Sequence, residues 1–324
     1  MQTLFSPPEA SITLAHADWS VSPAKRWLTL AQRSAGGTSL RVHSPQLAPD
    51  CDALLRWLAA HPLPLCLGLD LPLGVPLAYA ERAGIPSFRW LLHRAGGDGW
   101  ESFYAPAERA DQIALRRPFY PQRPGGTSRA QLIAGLGLER EAQLLRVCDR
   151  AYPGRRSSAP IFWTMGAQQV GKAALHAWRE LVAPALRCAR PAQLWPMDGD
   201  LDVLLRRGGA ILAEVYPREC YGQLGIAAAL RNKRAQPDRI AAGEILLAWA
   251  RERPLELDPA LVSELRHGCG DRPSAEDAFD SIVGLFGMID VALGARRAGE
   301  PANPAIRQIE GWILGQRAAV VPTR

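Results

Sequence analysis

Short apolar runs separated by turn-forming residues fill the N-terminal part of the chain, while the C-terminal part carries apolar residues at helical spacing. SITLAHADWS, AKRWLTLAQRS and TSLRVHS read as three strands, divided by the turn at Val21–Pro23 and by the pair Gly36-Gly37. Glycine pairs between apolar runs favour hairpins, because glycine supplies the positive-φ backbone of tight turns. DCDALLRWLAAH places Leu54, Leu55 and Leu58 on one helical face, with Asp50 or Asp52 positioned as N-cap. LPLCLGLD, almost wholly apolar and bounded by prolines, has the composition of a strand buried on both faces. The predicted order to this point is β-β-β-α-β.

From Gly74 to Gly208 proline, glycine and arginine become frequent, with helical patches such as AQLLRVCDRA and AALHAWRELVAPALR between them. This stretch is too long for a simple crossover and too apolar for a linker. It reads as a helical insertion over 75–208 that forms a cap or a substrate-facing subdomain. The strand signal returns at GGAILAEVYPRE, followed by the amphipathic helices RIAAGEILLAWARE and DAFDSIVGLFGMIDVALGARR. Three hairpin-linked strands, a helix, a fourth strand, an insertion, a fifth strand and terminal helices follow the order of an RNase H-like α/β fold. Its mixed sheet, flanked by helices, would be built from 1–74 and 209–324. In that fold strand one lies beside strand four, so the residues ending them meet at one sheet edge.

Both ends are acidic. Asp18 closes SITLAHAD, Asp70 closes LPLCLGLD, and Glu214 interrupts the apolar ILAEVYP. Asp277 and Asp280 lie three apart in the helical run SAEDAFDSIVGLF, hence on neighbouring positions of one face. Carboxylates converging from several strand ends would supply hard oxygen ligands for Mg²⁺ or Mn²⁺. Each has a purely structural alternative. Asp70 would cap the Leu-Pro-Leu-Gly turn after it, and Asp18 would serve a hairpin turn. Glu214 would pair with an arginine such as Arg218, which itself could contact phosphate. The helix pair would favour its own dipole, with Ser274 as N-cap.

Composition narrows the function classes. With 324 residues the chain exceeds a typical single compact domain, and its 48% hydrophobic content is ample for a core. The formal charge is +6, and the only lysines are Lys25, Lys172 and Lys233. Arginine's planar fork suits phosphate, so the balance favours a nucleic-acid partner, DNA or RNA. Six scattered cysteines form no C-x-x-C pair, and the histidines show no H-x-x-x-H spacing, so neither a disulfide framework nor a zinc site is signalled. No signal peptide or membrane-length apolar run is present, which leads to the expectation of a cytoplasmic protein.

Gly166 to Ala173, GAQQVGKA, matches the P-loop pattern up to its last position, where Ala173 replaces the hydroxyl that would bind Mg²⁺. The glycines are better read as a tight turn into a helix, with Lys172 directed toward the acidic site or a phosphodiester. Trp163, Trp178 and Trp195 would either stack on bases or pack in the core.

GLDLPLGVP around Asp70, FWTMGAQQVGKAAL, ILAEVYPRE around Glu214, EDAFDSIVGLF around Asp277 and Asp280, and the tail IEGWI occur in that order over positions 65–313. With these segments the chain resembles an uncharacterised family, domain of unknown function 429, generally described as predicted RNase H-fold nucleases. The resemblance implies metal-dependent hydrolysis of phosphodiester bonds in nucleic acid. Asp18, Asp70, Glu214 and Asp280 would be catalytic, and these four with Asp277 would hold one or two Mg²⁺ or Mn²⁺ ions. Lys172 and Arg218 would face the substrate. Two rivals are a phosphotransferase or ATPase of related sheet topology and a non-catalytic nucleic-acid-binding protein. The first usually needs a glycine-rich turn after strand one, which Asp18-Trp-Ser-Val-Ser-Pro does not provide.

Overall fold

Strand β1 (Ile12–Asp18) turns back through the tight Pro23–Lys25 segment into β2 (Trp27–Arg33), and the two pair antiparallel along their whole length. A computed structural model of the protein describes residues 11–317, except 35, 63, 98, 154 and 166–169. β2 pairs antiparallel with β3 (Leu40–Val42) and with the two-residue β4 (Gln46–Leu47). The helix Cys51–Ala60 follows, its first turn closed by Asp50, whose Oδ1 accepts from Ala53 N at 2.7 Å. The chain then enters β5 (Leu65–Leu69), which lies parallel to β1 on its other side. Later come β6 (Gln193–Leu194), β7 (Ala210–Glu214) and β8 (Leu255–Leu257). The result is an eight-stranded mixed sheet in the order β6-β7-β5-β1-β2-β3-β8, with β4 beside β2. Eleven α-helices accompany it among the described residues. β4, β6 and β8 leave no signal in the sequence, because two or three residues are too few for a period to register.

Alternation along β1 and its neighbours divides the core in two. Ala15, Ala17, Leu65, Leu67, Leu69 and Leu212 face one side, in a single buried cluster with Tyr79, Phe88, Phe103 and Trp178 from the 75–208 region. Ile12, Leu14, Cys66, Ile211 and Ala213 face the other side, under the helices Pro217–Gln223, Gln236–Arg251 and Ala275–Ala292. The sheet is thus the middle of three layers. Trp178 and Trp195 are fully buried, their indole N–H groups donating to Pro72 O (2.8 Å) and Glu300 Oε1 (3.0 Å), so neither offers a face to a base. Trp163 is half-buried.

The terminal helix Ala275–Ala292 departs from the expected one-sided packing. All of its residues except Glu276 and Asp277 are buried, as expected of a helix apolar nearly all round. Gly284 makes its close approach to β1 feasible, since a Cβ there would lie 2.1–2.4 Å from ring atoms of His16. Gly284→Ala should therefore lower unfolding free energy by about 1–3 kcal/mol or more, through overpacking. A urea melt reads this directly, and an unchanged midpoint would mean the helix can shift outward freely. Among the described residues, no helix is long and apolar enough to cross a membrane. All six cysteines are free thiols.

Candidate acidic site at the strand ends

Strand register decides which acids meet. Ala17 is opposite Leu69, Leu69 is opposite Glu214, and Asp70 N donates to Ala17 O at 3.0 Å. Asp18 and Asp70 are the next residues on adjacent parallel strands, and their carboxyls come within hydrogen-bonding reach of each other. They emerge on the face roofed by the terminal helix, whose first turns bring Asp277 and Asp280 into their electrostatic surroundings. That helix is pinned by Trp27 Nε1 donating to Ser274 Oγ (3.0 Å), by Thr29 Oγ1 and Ser281 Oγ (2.6 Å apart), and by His16 Nδ1 donating to Ser281 O (3.1 Å). Ser274 stands at the N-cap position but in left-handed backbone, and its hydroxyl makes no capping bond.

The site is crowded with negative charge. Burial, then Asp70 and Asp280, hold the Asp18 carboxyl well above the usual carboxylate range, with Lys233 opposing. Asp70 keeps part of its surface open to solvent, yet burial and Asp280 push it up to about 7. Asp277, half-buried, is pushed up to about 6, chiefly by burial. Lys233 opposes all of them, and Lys25 adds to it at Asp277. Lys233 Nζ donates to Asp280 Oδ2 at 2.5 Å, and Tyr221 OH donates to Oδ1 of the same carboxylate at 2.5 Å. Burial works against the Lys233 charge, but Asp280, Asp18 and Asp70 keep it held more firmly than in an ordinary lysine.

Glu214 adds its field to Asp70, but its side chain does not join this group. Side chains alternate along a strand, so a residue in register with Leu69 faces away from Asp18 and Asp70. On that opposite face the fully buried Arg146 grips both Glu214 oxygens, Nη1 to Oε2 at 2.6 Å and Nη2 to Oε1 at 2.7 Å. Leu73 N donates to Oε2 as well, at 2.8 Å. Arg146 also binds Asp149 through Nε (2.8 Å) and Nη2 (3.0 Å). Glu310 caps the same region, accepting from Leu77 N (2.9 Å) and Val147 N (2.6 Å). The salt-bridge alternative for Glu214 is thus the observed one, with Arg146 in place of Arg218.

The two substrate-facing candidates also separate. Lys172 sits on the helix Val170–Ala177, whose Ala174 and Ala177 pack into the cluster on the Glu214 side of the sheet. The four residues before that helix, the start of GAQQVGK, lie outside the described residues. Arg218 is exposed in the first turn of Pro217–Gln223, just beyond β7, and Tyr216 beside it lies in the field of both Asp70 and Arg218. It therefore stays at the acidic end of the sheet.

Lys233, Tyr221 and Arg146 do not stand out in the sequence as site residues. Lys233 left one signal, being one of three lysines in an arginine-rich chain. Arg146 and Tyr221 left none, because their partners are distant in sequence. Among the described residues, no three His, Cys, Asp or Glu side chains stand where they could ligate one ion together. Comparison with family models, with curated proteins and with solved structures finds no match for the chain.

His16 shares the Asp18 face, and burial pushes its pKa down to about 4. The folded protein then binds fewer protons at this site than the unfolded chain between pH 6.5 and 4, so the stability His16 contributes is lost as pH falls through that window. The loss amounts to about 3 kcal/mol by pH 4. The raised carboxyls act in the opposite sense, so wild type should be compared with His16→Leu. Relative to that variant, wild type should weaken by this amount between pH 7 and pH 4 in denaturant melts. Parallel pH profiles would show that His16 is charged or hydrated in the fold.

Proposed function

We propose that the protein is a divalent-metal-dependent nuclease built on an RNase H-like core. The observation that carries this reading is the pairing of Asp18 and Asp70 at the carboxyl ends of adjacent parallel strands, beneath a helix carrying Asp277 and Asp280. Supporting it, β1 lies between β2 and β5, the neighbour this reading expects, and ligands of open α/β sheets bind outside the carboxyl ends of strands. The resemblance to domain of unknown function 429 points the same way and belongs to the proposal, as does a cytoplasmic location.

The donor chemistry fits Mg²⁺ or Mn²⁺. Two carboxyls pressed together, each with a raised pKa, mark a place where a cation relieves repulsion that a proton otherwise relieves. Mg²⁺ commonly takes one or two protein carboxylates and completes its shell with waters and substrate phosphate, so the lack of a third protein ligand is no obstacle. Asp18 and Asp70 would hold the ion. An ion held by this pair would supply polarisation of a phosphoryl oxygen and a more acidic water. Asp70, partly open to solvent, would be the acid an incoming phosphodiester meets. Arg218 offers its fork to a neighbouring phosphate. In the reaction the water oxygen bonds to phosphorus, the bond to one sugar oxygen breaks, and that oxygen takes up the water's proton. Nucleic acid is the substrate class that suits this site and the net positive charge.

The test is a cleavage panel of single- and double-stranded DNA and RNA with Mg²⁺, Mn²⁺ or EDTA. Metal-dependent products from at least one substrate are expected. An inert protein that also fails to bind Mn²⁺ would overturn the reading.

A further inference from the structure

We propose that Tyr152 stacks on an unpaired base of the substrate, and that the strand led to Asp18 and Asp70 is therefore single. The inference rests on the nuclease reading given above and names its substrate class. Among the described residues Tyr152 is the one Phe, Tyr or Trp that is exposed, at 43%. The other exposed large apolar residues are the aliphatic Val21, Leu47, Val203 and Ile245. A scattered exposed apolar side chain is ordinary. Tyr152 differs in being held.

Tyr152 N donates to Arg155 O at 3.1 Å and Arg155 N to Tyr152 O at 2.9 Å, which closes a tight hairpin. Tyr152 OH donates to Glu219, a buried carboxylate that Arg155 Nε also meets at 2.8 Å. Arg155 is anchored in turn, through Nη1 to Cys148 O (3.0 Å) and Arg150 O (3.1 Å) and through Nη2 to Ser158 Oγ (3.1 Å). A ring fixed in this way has little freedom left to lose when a base stacks on it. Its hydroxyl is already engaged, so Tyr152 offers a base its ring and no hydrogen bond. That is a contact any base can make.

The hairpin lies on the way to the acids. The Arg155 guanidinium carbon is 5.5 Å from the ring centroid of Tyr152 and 5.5 Å from that of Tyr216, and Tyr216 lies in the field of Asp70. Glu219 belongs to the same helix, Pro217–Gln223, whose Tyr221 donates to Asp280, so one element ties the hairpin to the acidic site. Arg156 on the hairpin and Arg218 beside Tyr216 are exposed, and neither forms an ion pair with a described residue. Aromatic rings with arginines beside them suit a strand in which bases and phosphates alternate. A duplex closes the faces of its bases by stacking them on one another, and Tyr152 can reach a base only where the strand is unpaired.

The experiment is fluorescence anisotropy in EDTA, which stops metal-dependent cleavage. The probes are a labelled oligothymidylate, the matching oligouridylate, an abasic strand of the same length and a duplex. Wild type should bind both single strands more tightly than the abasic strand. Tyr152→Ala should weaken binding of the single strands by roughly 5–150-fold, the range for loss of one stacked base, and leave the abasic strand and the duplex at their wild-type affinities. Tyr152→Phe keeps the ring and loses the bond to Glu219, and it should bind as wild type does. Tyr152→Leu serves if the alanine variant does not fold by circular dichroism. A loss confined to oligothymidylate or to oligouridylate would assign the stacking residue to DNA or to RNA. Equal losses on the abasic strand, or no loss in Tyr152→Ala and Tyr152→Leu, would overturn the role of Tyr152 and leave the nuclease reading standing where wild type cleaves with metal. Wild type that binds neither single strand would overturn the stacking role as well, and the cleavage panel then decides the nuclease reading separately.

Discussion

Asp70→Asn is expected to remove metal-dependent cleavage, by at least about 10²–10³-fold, while making the metal-free protein more stable at neutral pH. The two effects have one origin. The Asp70 carboxyl is pushed up to about 7 by burial and by Asp280, so its charged form is held against its preference. The native state binds this proton more tightly than the unfolded chain. Its destabilising influence is therefore absent below the unfolded carboxyl pKa and grows as pH rises toward 7. Asparagine keeps the shape and drops the charge. The variant should melt above wild type at pH 8 without metal, with the difference shrinking to near zero by pH 4, and its Mn²⁺ affinity should collapse. A turn-capping Asp70 predicts the reverse, namely lower stability and intact metal binding. Thermal melts at the two pH values with one Mn²⁺ titration separate the alternatives.

Arg146→Met should be the most destabilising single substitution at the strand ends, costing about 3–5 kcal/mol. It leaves Glu214 and Asp149 buried without their counter-charge, at side-chain exposures of 6% and 7%. Replacing Glu214 by glutamine as well should recover part of the loss, because one stranded charge is then gone. Glu214→Gln alone is expected to lower stability while Mn²⁺ still binds, since its carboxylate faces the opposite side of the sheet from Asp18 and Asp70 and reaches Asp70 only through its field. Urea unfolding of the double-mutant cycle measures the coupling. Loss of Mn²⁺ binding in Glu214→Gln would return that residue to the metal site.

The contrast between Glu214 and Asp70 shows how far the sequence reaches. Both end apolar strands, and both are recognisable as acids in costly surroundings. Their faces differ because of a single residue: Asp70 follows Leu69, whereas Glu214 is in register with it. Periodicity identifies a strand and its alternation, but not the register against a neighbour, and a slip of one residue reverses every side chain. The same limit applies to Lys172. Its helix is legible from spacing, but nothing local says on which side of the sheet that helix packs.

By itself, the sequence determined the longer elements and the acids that end them, but not the short strands β4, β6 and β8. The hairpin strands follow from apolar runs broken by turn residues, the cap at Asp50 from its place before Leu54, and the terminal helix from Phe279, Ile282, Val283 and Phe286. These are local choices, made by short-range sterics and by the spacing of apolar groups. Tertiary structure alone decided which charges would neighbour which. Arg146 meets Glu214 across 68 positions and Lys233 meets Asp280 across 47, contacts formed only when strands pair and helices dock. Electrostatic pairing in a buried site depends on distance in space, and the order of residues along the chain leaves that distance open until the sheet register is set.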